Sequence, residues 1–422
     1  MTAVRLRFLG GVGVIGSTKI LVEQDGWRVL LDLGNDIPSS ADLLRYPALA
    51  RPERAIADRL RLGVAPALDH LYRADALDGT GLAGGSDGHT AVFISHAHID
   101  HVGLAGWVDP GVPVYAAVET VRVLAALAEA GSGLEGGRRQ IHPLEHGETV
   151  QVGPFEVTCL SVDHDVPGAA GYLVATADGT LAYTGDLRLH GRRPELSESF
   201  AAAARGARLL VTEGTMLAAS FGSSFPSEAD VDAALAAALR ETPGLVVVSL
   251  YPRNTERVAA LLRIAGTSGR RVIWPTAMGR FLRAYGLEGV ITWDDAPSLG
   301  AIRAEPGRFV VQLGIDEIPR LLDLPLGPGA LFVHSNGEPL GTFDPNWAVL
   351  EDWLSFLHLP MRSIGSAGHA TPQDLDRLVR LAAPKVVVPI HTSEPYRLMP
   401  PPGTVRVLAE RGREYTLDRI DG

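Results

Sequence analysis

Short apolar runs that end abruptly in polar residues recur along this chain. Each reads as a buried strand that delivers side chains to a loop. Residues 4–9, 18–23 and 27–33 are three such runs, the last two joined by Asp25-Gly26, a pair suited to a hairpin turn. Val92-Phe93-Ile94 runs straight into Ser95-His96-Ala97-His98-Ile99-Asp100-His101. A strand at 112–116 and a helix at 119–130 follow, and two strands then lead to Asp163-His164-Asp165. Strands at 172–176 and 181–183 end in Thr184-Gly185-Asp186, a strand at 209–212 ends at Glu213, and Val386-Val387-Val388-Pro389-Ile390 ends at His391. Polar groups leaving the ends of buried strands enter rigidly held loops, which active sites favour.

Between these strands the texture changes twice. Residues 35–90 form a long insertion carrying Pro38, Pro47, Pro52 and Pro66, with a helical stretch near 54–62 and a glycine-rich loop at 79–88. A segment of this length beside a site reads as a lid or a partner surface. After Glu213 come a helix at 228–240, a strand at 245–250, a helix at 254–265 and a strand at 271–274. That alternation predicts a parallel sheet with covering helices, running to about residue 360. A last helix is predicted at 372–381. Gly11-Val12-Gly13-Val14-Ile15-Gly16 formally matches G-x-G-x-x-G, with Asp32 in place to be a ribose acid. The dinucleotide reading needs a helix after the glycines. Here a strand follows, so the glycines are expected to make a tight turn near the site instead.

The cluster at 96–101 suits zinc or a similar divalent ion, and its density suits two ions. Burying four such groups without a ligand would cost about a few kcal/mol each. The alternative is a solvated polar loop. His164, Asp186 and His391, each at a strand end, join the cluster as candidate ligands.

Composition narrows the class. The chain has 422 residues, 46% apolar and 21% charged, as in an ordinary globular protein of two or three lobes. No apolar run reaches the length of a membrane span, and the glycine-broken start reads as structure, not as a signal peptide. The single cysteine, Cys159, lies in a strand pattern and fits a reducing cytoplasm. A net charge of −11 argues against a protein coated in positive charge, but not against a local basic groove. Residues 245–285 hold Arg253, Arg257, Arg263, Arg270, Arg271, Arg280 and Arg283 against the single acid Glu256. Arginine forks bind phosphate bidentately, so this stretch is a candidate phosphate-facing wall; the alternative is a solvated helix face.

These residues resemble a known family. His96-Ala97-His98-Ile99-Asp100-His101, His164, Asp186 and His391 look like the successive metal motifs of the metallo-β-lactamase fold. Glu213, the α/β segment after it, Ser366-Ala367-Gly368-His369 and Pro389-Ile390-His391-Thr392 are similar to the β-CASP branch of nucleases, which includes ribonuclease J and the endonuclease of messenger RNA 3′-end formation. Gly10 to Gly16 also resembles the ribonuclease J start. Three departures point to a sister group. Phe332-Val333-His334-Ser335-Asn336-Gly337 lacks a Pro-Gly-Asn-Glu run, the 35–90 insertion is longer than expected, and the sequence ends about thirty residues after His391, so the extra C-terminal domain of ribonuclease J is not expected.

The resemblance implies an α/β fold, an αββα sandwich at 1–213 and 361–422, with an inserted α/β β-CASP domain at 214–360. It implies two Zn2+ per chain, with Mn2+ as a substitute. His96, His98 and His164 would hold one ion, Asp100, His101 and His391 the other, and Asp186 would bridge them. Hydroxide between two such ions is a nucleophile at neutral pH. His369 would be the general acid that protonates the leaving oxygen, and Glu213 would keep it protonated. His369 could instead cap the helix beginning near Pro372. Ser366, Gly368, Ser335, Asn254 and Arg253 are further candidates for phosphate contacts.

The expected protein is a cytoplasmic metal-dependent hydrolase, an RNA-processing ribonuclease acting on single-stranded RNA with no membrane partner. A homodimer is compatible with the sequence, and exonuclease and endonuclease action both stay open. The alternatives are a hydrolase of a small ester, lactone or cyclic nucleotide on the same centre, a DNA-processing nuclease, and a non-enzymatic scaffold. His70, His89, His142, His146, His190, His334 and His358 are expected to be surface or packing residues.

Overall fold

In the computed structural model, the structure describes residues 2–35, 43–44, 48–218, 225–341, 344 and 346–421. The chain divides into two compact units, one made of Met1–Ala125, Gly133–Ser224 and Gly368–Gly422, the other of Ala126–Ser132 and Phe225–Ala367.

The first unit contains two seven-stranded sheets. One runs, strand by strand, Glu414–Thr416, Arg5–Gly10, Lys19–Gln24, Trp27–Leu31, Thr90–Ile94, Val114–Ala117, His142–Leu144. The other runs Val405–Arg406, Val386–Ile390, Leu209–Glu213, Gly179–Tyr183, Ala170–Thr176, Phe155–Ser161, Thr149–Val152. Alternate residues from the two sheets interdigitate in one core: Leu6, Phe8, Ile20, Val22 and Phe93 from the first meet Val157, Tyr172, Tyr183, Val211 and Val388 from the second. The opposite face of the second sheet, through Ala182, Leu210 and Val387, is covered by Phe200 of the helix Pro194–Ala203 and by Leu375, Leu378 and Val379 of the helix Pro372–Ala382. This is the expected α/β sandwich, its strands apolar on both faces because both faces are covered.

Parallel register sets the positions of the strand ends. Leu31 pairs with Phe93, so Asp32 and Ser95 leave the same end of the first sheet. Tyr183 pairs with Val211 and Glu213 with Ile390, so Asp186, Glu213 and His391 leave the same end of the second.

The start of the chain contains no βαβ unit. Lys19–Gln24 is a strand antiparallel to Arg5–Gly10, and Gly11, Gly13 and Gly16 take positive φ in the turn between. The Gly11 carbonyl accepts a hydrogen bond from the His391 amide at 2.6 Å, so the turn does lie against the candidate site.

Within the 35–90 insertion, residues 36–42 and 45–47, with Pro38 and Pro47, lie outside the described residues. The rest includes the short helix Ala55–Arg61, and its Ile56, Leu71 and Tyr72 are buried. Arg59 ties that helix to Glu135 through a two-bond fork at 3.1 and 2.8 Å.

The second unit is built on an all-parallel six-stranded sheet, ordered Ile291–Thr292, Arg271–Trp274, Phe309–Gln312, Val246–Leu250, Leu331–Ser335, Met361–Ser363. Leu245, Val247, Ile273, Val311 and Phe332 pack with Ile302, Leu350 and Leu354 of neighbouring helices.

The arginine wall expected here needs correction, because five of the seven side chains are committed to the unit's own structure. Arg257 is buried in an ion pair with Glu228 at 2.5 Å, both side chains 1% exposed. Arg270 donates to the carbonyls of Thr242, Gly244 and Phe309. Arg263 pairs with Asp232, Arg283 with Asp295, and Arg271 lies over the Phe309 ring. A guanidinium carries five donors and serves strand-end carbonyls as readily as phosphates.

A buried ion pair that loses one partner leaves an uncompensated charge. Glu228→Ala is therefore expected to destabilise the second unit by about 3–5 kcal/mol, read as a lower urea midpoint with the slope unchanged.

Candidate metal centre

Four strand ends of the first unit and one short helix build the site. His98 stands in extended conformation just before the helix Ile99–Val102, which carries Asp100 and His101 in its single turn. The sequence pattern gave a loop here. The turn is pinned from outside: Thr18 N donates to Asp100 O at 3.0 Å, Leu33 N to His101 O at 2.8 Å and Asn35 N to Ile99 O at 2.9 Å. The Gly34 backbone passes so close that an added Cβ would lie 1.6 Å from the Asp100 carbonyl oxygen. Only glycine permits that approach.

All seven candidate ligands converge. His164 Nε2 is 3.3 Å from His98 Nδ1, and His96 joins these two in one group of donors. His391 Nε2 is 2.9 Å from Asp100 Oδ2, and His101 Nε2 is 3.7 Å from the same oxygen. Asp186 Oδ2 lies between the groups, 3.1 Å from His101 Nε2, 3.6 Å from His391 Nε2 and 3.8 Å from His96 Nε2. Donors on one tetrahedral ion at ~2.0–2.1 Å stand about 3.3 Å apart, the spacing seen here.

His96 Nε2, His101 Nε2 and Asp186 Oδ2 are buried and have no hydrogen-bond partner among the described residues. Buried polar atoms are almost always satisfied, so their convergence marks a place for a cation. Burial would lower the His101 pKa, but the Asp186, Asp100 and Asp32 carboxylates lift it well above the ordinary imidazole range, so a cation there would displace its proton; His96 and His164 differ. Burial drives His96 well below the ordinary imidazole range, and His164 down to about 4, so both offer lone pairs. Burial would raise Asp186, but His101, His391 and His369 around it hold it well below the usual carboxylate range. The donor set fits divalent metal.

Two ligand rings are oriented from behind. His101 Nδ1 donates to Asp32 Oδ2 at 2.7 Å. Asp32, fully buried, also accepts from Ser95 N at 2.6 Å, Ser95 Oγ at 2.7 Å and Tyr183 OH at 2.5 Å. His164 Nδ1 donates to the Gly368 carbonyl at 2.6 Å. Each bond fixes the tautomer that aims Nε2 at the centre.

His369 stands beside the cluster. Its Nδ1 is 3.6 Å from Glu213 Oε2, 3.7 Å from Asp186 Oδ2 and 3.1 Å from Thr215 Oγ1. Burial lowers its pKa, but Glu213 and Asp186 outweigh burial and lift it to about 9. Glu213 is itself held by the amides of Thr215 and Ala370, each at 2.8 Å. The helix Pro372–Ala382 is capped by Thr371 in a capping box with Asp374, so His369 is not its cap.

The other predicted contacts are divided between the two units. Gly368 belongs to the site through its carbonyl. Asn254, Ser335, Ser366 and Arg253 belong to the second unit. Asn254 caps the helix Thr255–Thr267, Ser335 is buried, and Ser366 Oγ donates to Pro226 O at 2.6 Å. Among the other histidines, His70 and His334 hold backbone carbonyls and His190 pairs with Asp374 at 2.8 Å.

Sequence reasoning missed Asp32, Asp165 and Thr215 as parts of the site. Asp165 Oδ1 lies 3.3 Å from His164 Nε2, and Thr215 Oγ1 lies 2.8 Å from His391 Nδ1. Asp32 does carry a signal, as a strand-end acid like Asp186, but the glycine pattern before it reads as pointing to a ribose.

Comparison with known proteins is consistent with this geometry. A Beta-lactamase superfamily domain model matches residues 79–249. The ribonuclease J of Sinorhizobium meliloti is 26% identical over 332 residues, 71% of this chain and 57% of that protein. The chain thus spans less than two thirds of that relative's length. The ribonuclease J of Pyrococcus abyssi is 24% identical over 92% of this chain and 89% of that protein. The crystal structure of a protein of unknown function from Enterococcus faecalis V583 is 29% identical with a TM-score of 0.83, over 98% of this chain and 100% of that one. Its sandwich, its strand-end His/Asp cluster and these similarities make the chain similar to ribonuclease J and to the metallo-β-lactamase superfamily, and support a metal-dependent hydrolase.

Proposed function

We propose that the chain is a two-metal phosphodiesterase that hydrolyses single-stranded RNA and leaves 5′-phosphate ends. The observation that carries this is the meeting of two donor groups at Asp186, with the His369–Glu213 pair beside them. His96, His98 and His164 would hold one divalent ion, Asp100, His101 and His391 the other, and Asp186 would serve both. When bound, two such ions activate water at neutral pH and neutralise the charge gathering on a phosphodiester.

The chain's own residues do the rest. His369, beside the Glu213 and Asp186 carboxylates, carries a proton at neutral pH and delivers it to the leaving oxygen. Glu213, fixed by two amides, orients that imidazole. Asp32 and the Gly368 carbonyl keep the His101 and His164 rings turned toward the centre. RNA as the substrate rests on the ribonuclease J relatives. The parallel-sheet unit is read here as the β-CASP-like domain.

The test is digestion of 5′-labelled single-stranded RNA, and of the matching DNA, by zinc- or manganese-loaded protein with Asp100→Ala as control. Cleavage of RNA that the control lacks is the expected result. Intact RNA and DNA alongside hydrolysis of small esters, lactones or cyclic nucleotides would overturn it.

Asp32→Asn keeps the shape of the side chain but weakens its hold on His101 Nδ1. Loss of an outer partner of a metal-bound histidine costs about 10- to 100-fold in metal affinity. That drop is expected for one ion of the pair, read by competition with a chromogenic chelator.

A further inference from the structure

His164 is flanked by two aspartates that face different ways. Asp163 is fully buried, accepts from Arg193 N at 2.8 Å and lies 3.5 Å from Arg188 Nε. Asp165 turns toward the imidazoles, its Oδ1 3.3 Å from His164 Nε2 and 3.5 Å from His98 Nε2. That Oδ1 is buried and has no hydrogen-bond partner among the described residues.

His164 Nδ1 carries the proton it gives to Gly368 O, so Nε2 presents a lone pair. This lone pair stands 3.3 Å from His98 Nδ1 and 3.3 Å from Asp165 Oδ1. Two facing lone pairs repel unless a cation lies between them, and about 3.3 Å is the edge spanned by two donors on one tetrahedral ion. The other carboxylate oxygen needs its own space. A Cβ on Gly368 would lie 2.5 Å from Asp165 Oδ2, so the glycine that orients His164 also makes room for Asp165.

The geometry points to Asp165 as an oxygen ligand of the ion held by His96, His98 and His164. This inference rests on the metal-centre reading above. It adds a second anionic oxygen to that ion's donors, beside Asp186 and the three imidazole nitrogens. Harder donors shift relative preference toward ions such as Mn2+ and away from Zn2+.

The test uses the full chain carrying Asp100→Ala, which weakens the second ion so that the first is read alone. Metal-free protein with and without Asp165→Asn is titrated with Co2+ by calorimetry, with the visible spectrum recorded at saturation. A fall in Co2+ affinity of about 10-fold or more, together with a changed ligand-field spectrum, is expected. Unchanged affinity and spectrum would overturn the inference. So would weaker binding with an unchanged spectrum, because Asp165 would then act only by holding the His98 ring from outside. If unmutated protein takes up no divalent ion at all, the metal-centre reading itself falls; if it takes up two and Asp165→Asn changes nothing, only this inference falls.

Discussion

Asp186→Ala is expected to strip the protein of bound divalent metal and to reduce RNA turnover by about 10³-fold or more. One oxygen, Oδ2, lies within 3.8 Å of nitrogens on His96, His101 and His391, and 3.7 Å from His369 Nδ1. This one oxygen thus touches both donor groups and the candidate acid. Its removal would leave each of the two proposed ions short of an anionic ligand and would leave the imidazoles without a shared counter-charge. Two-metal stabilisation of phosphoryl charge contributes several kcal/mol to a barrier, and about 1.36 kcal/mol is a factor of ten in rate. Metal content by plasma mass spectrometry and single-turnover cleavage check the two halves separately. A variant that keeps both ions and near-normal turnover would remove Asp186 from the centre of the design.

The second large effect is expected from His369→Ala, and its pattern differs. Both ions should stay, because the seven candidate ligands converge without this side chain. Turnover on RNA should fall by about 10²- to 10⁴-fold, the usual range for a lost general acid. The discriminating readout is the leaving group. A nucleoside 5′-phosphate ester of p-nitrophenol leaves without help from a proton, so His369→Ala should cost far less on that substrate than on RNA. Equal losses on both would assign His369 to positioning or metal retention. Metal loss with the substitution would make it a ligand.

The two effects separate because of how each group is held. Asp186 arrives on a strand end locked by parallel pairing. His369 is held by Glu213 and Thr215, and the neighbouring helix takes its cap from Thr371. The capping role that competed with catalysis is thus filled two residues on.

The strand-end positions of the candidate ligands could be read from the sequence because the signal is local. An apolar run such as Val386-Val387-Val388-Pro389-Ile390 says strand, and the residue after it says chemistry. The same reading yields the parallel second sheet, whereas the sandwich is what the family resemblance implies. What stayed hidden depends on register. Asp32 meets His101 only because Leu31 pairs with Phe93 across a long insertion, and nothing near Asp32 marks it as different from any strand-end acid. Asp165 was hidden by proximity to a better-recognised neighbour, since the eye stops at His164. The arginines misled for another reason. Their targets are mostly backbone carbonyls and single acids, and a carbonyl leaves no mark in a sequence.

The second sheet of the sandwich is closed by Val386–Ile390, which lies between Leu209–Glu213 and Val405–Arg406. His391, at its tip, follows the whole inserted unit in the chain. During synthesis the ribosome releases His96 through Glu213 long before it releases the strand that completes their sheet. A nascent chain therefore cannot assemble the full set of seven donors until translation has passed residue 391. Pairing across so long a separation is also slow relative to local folding. A polypeptide emerging beside messenger RNA thus carries an incomplete centre while it is still tethered, and acquires its last histidine only after the whole inserted unit has been made.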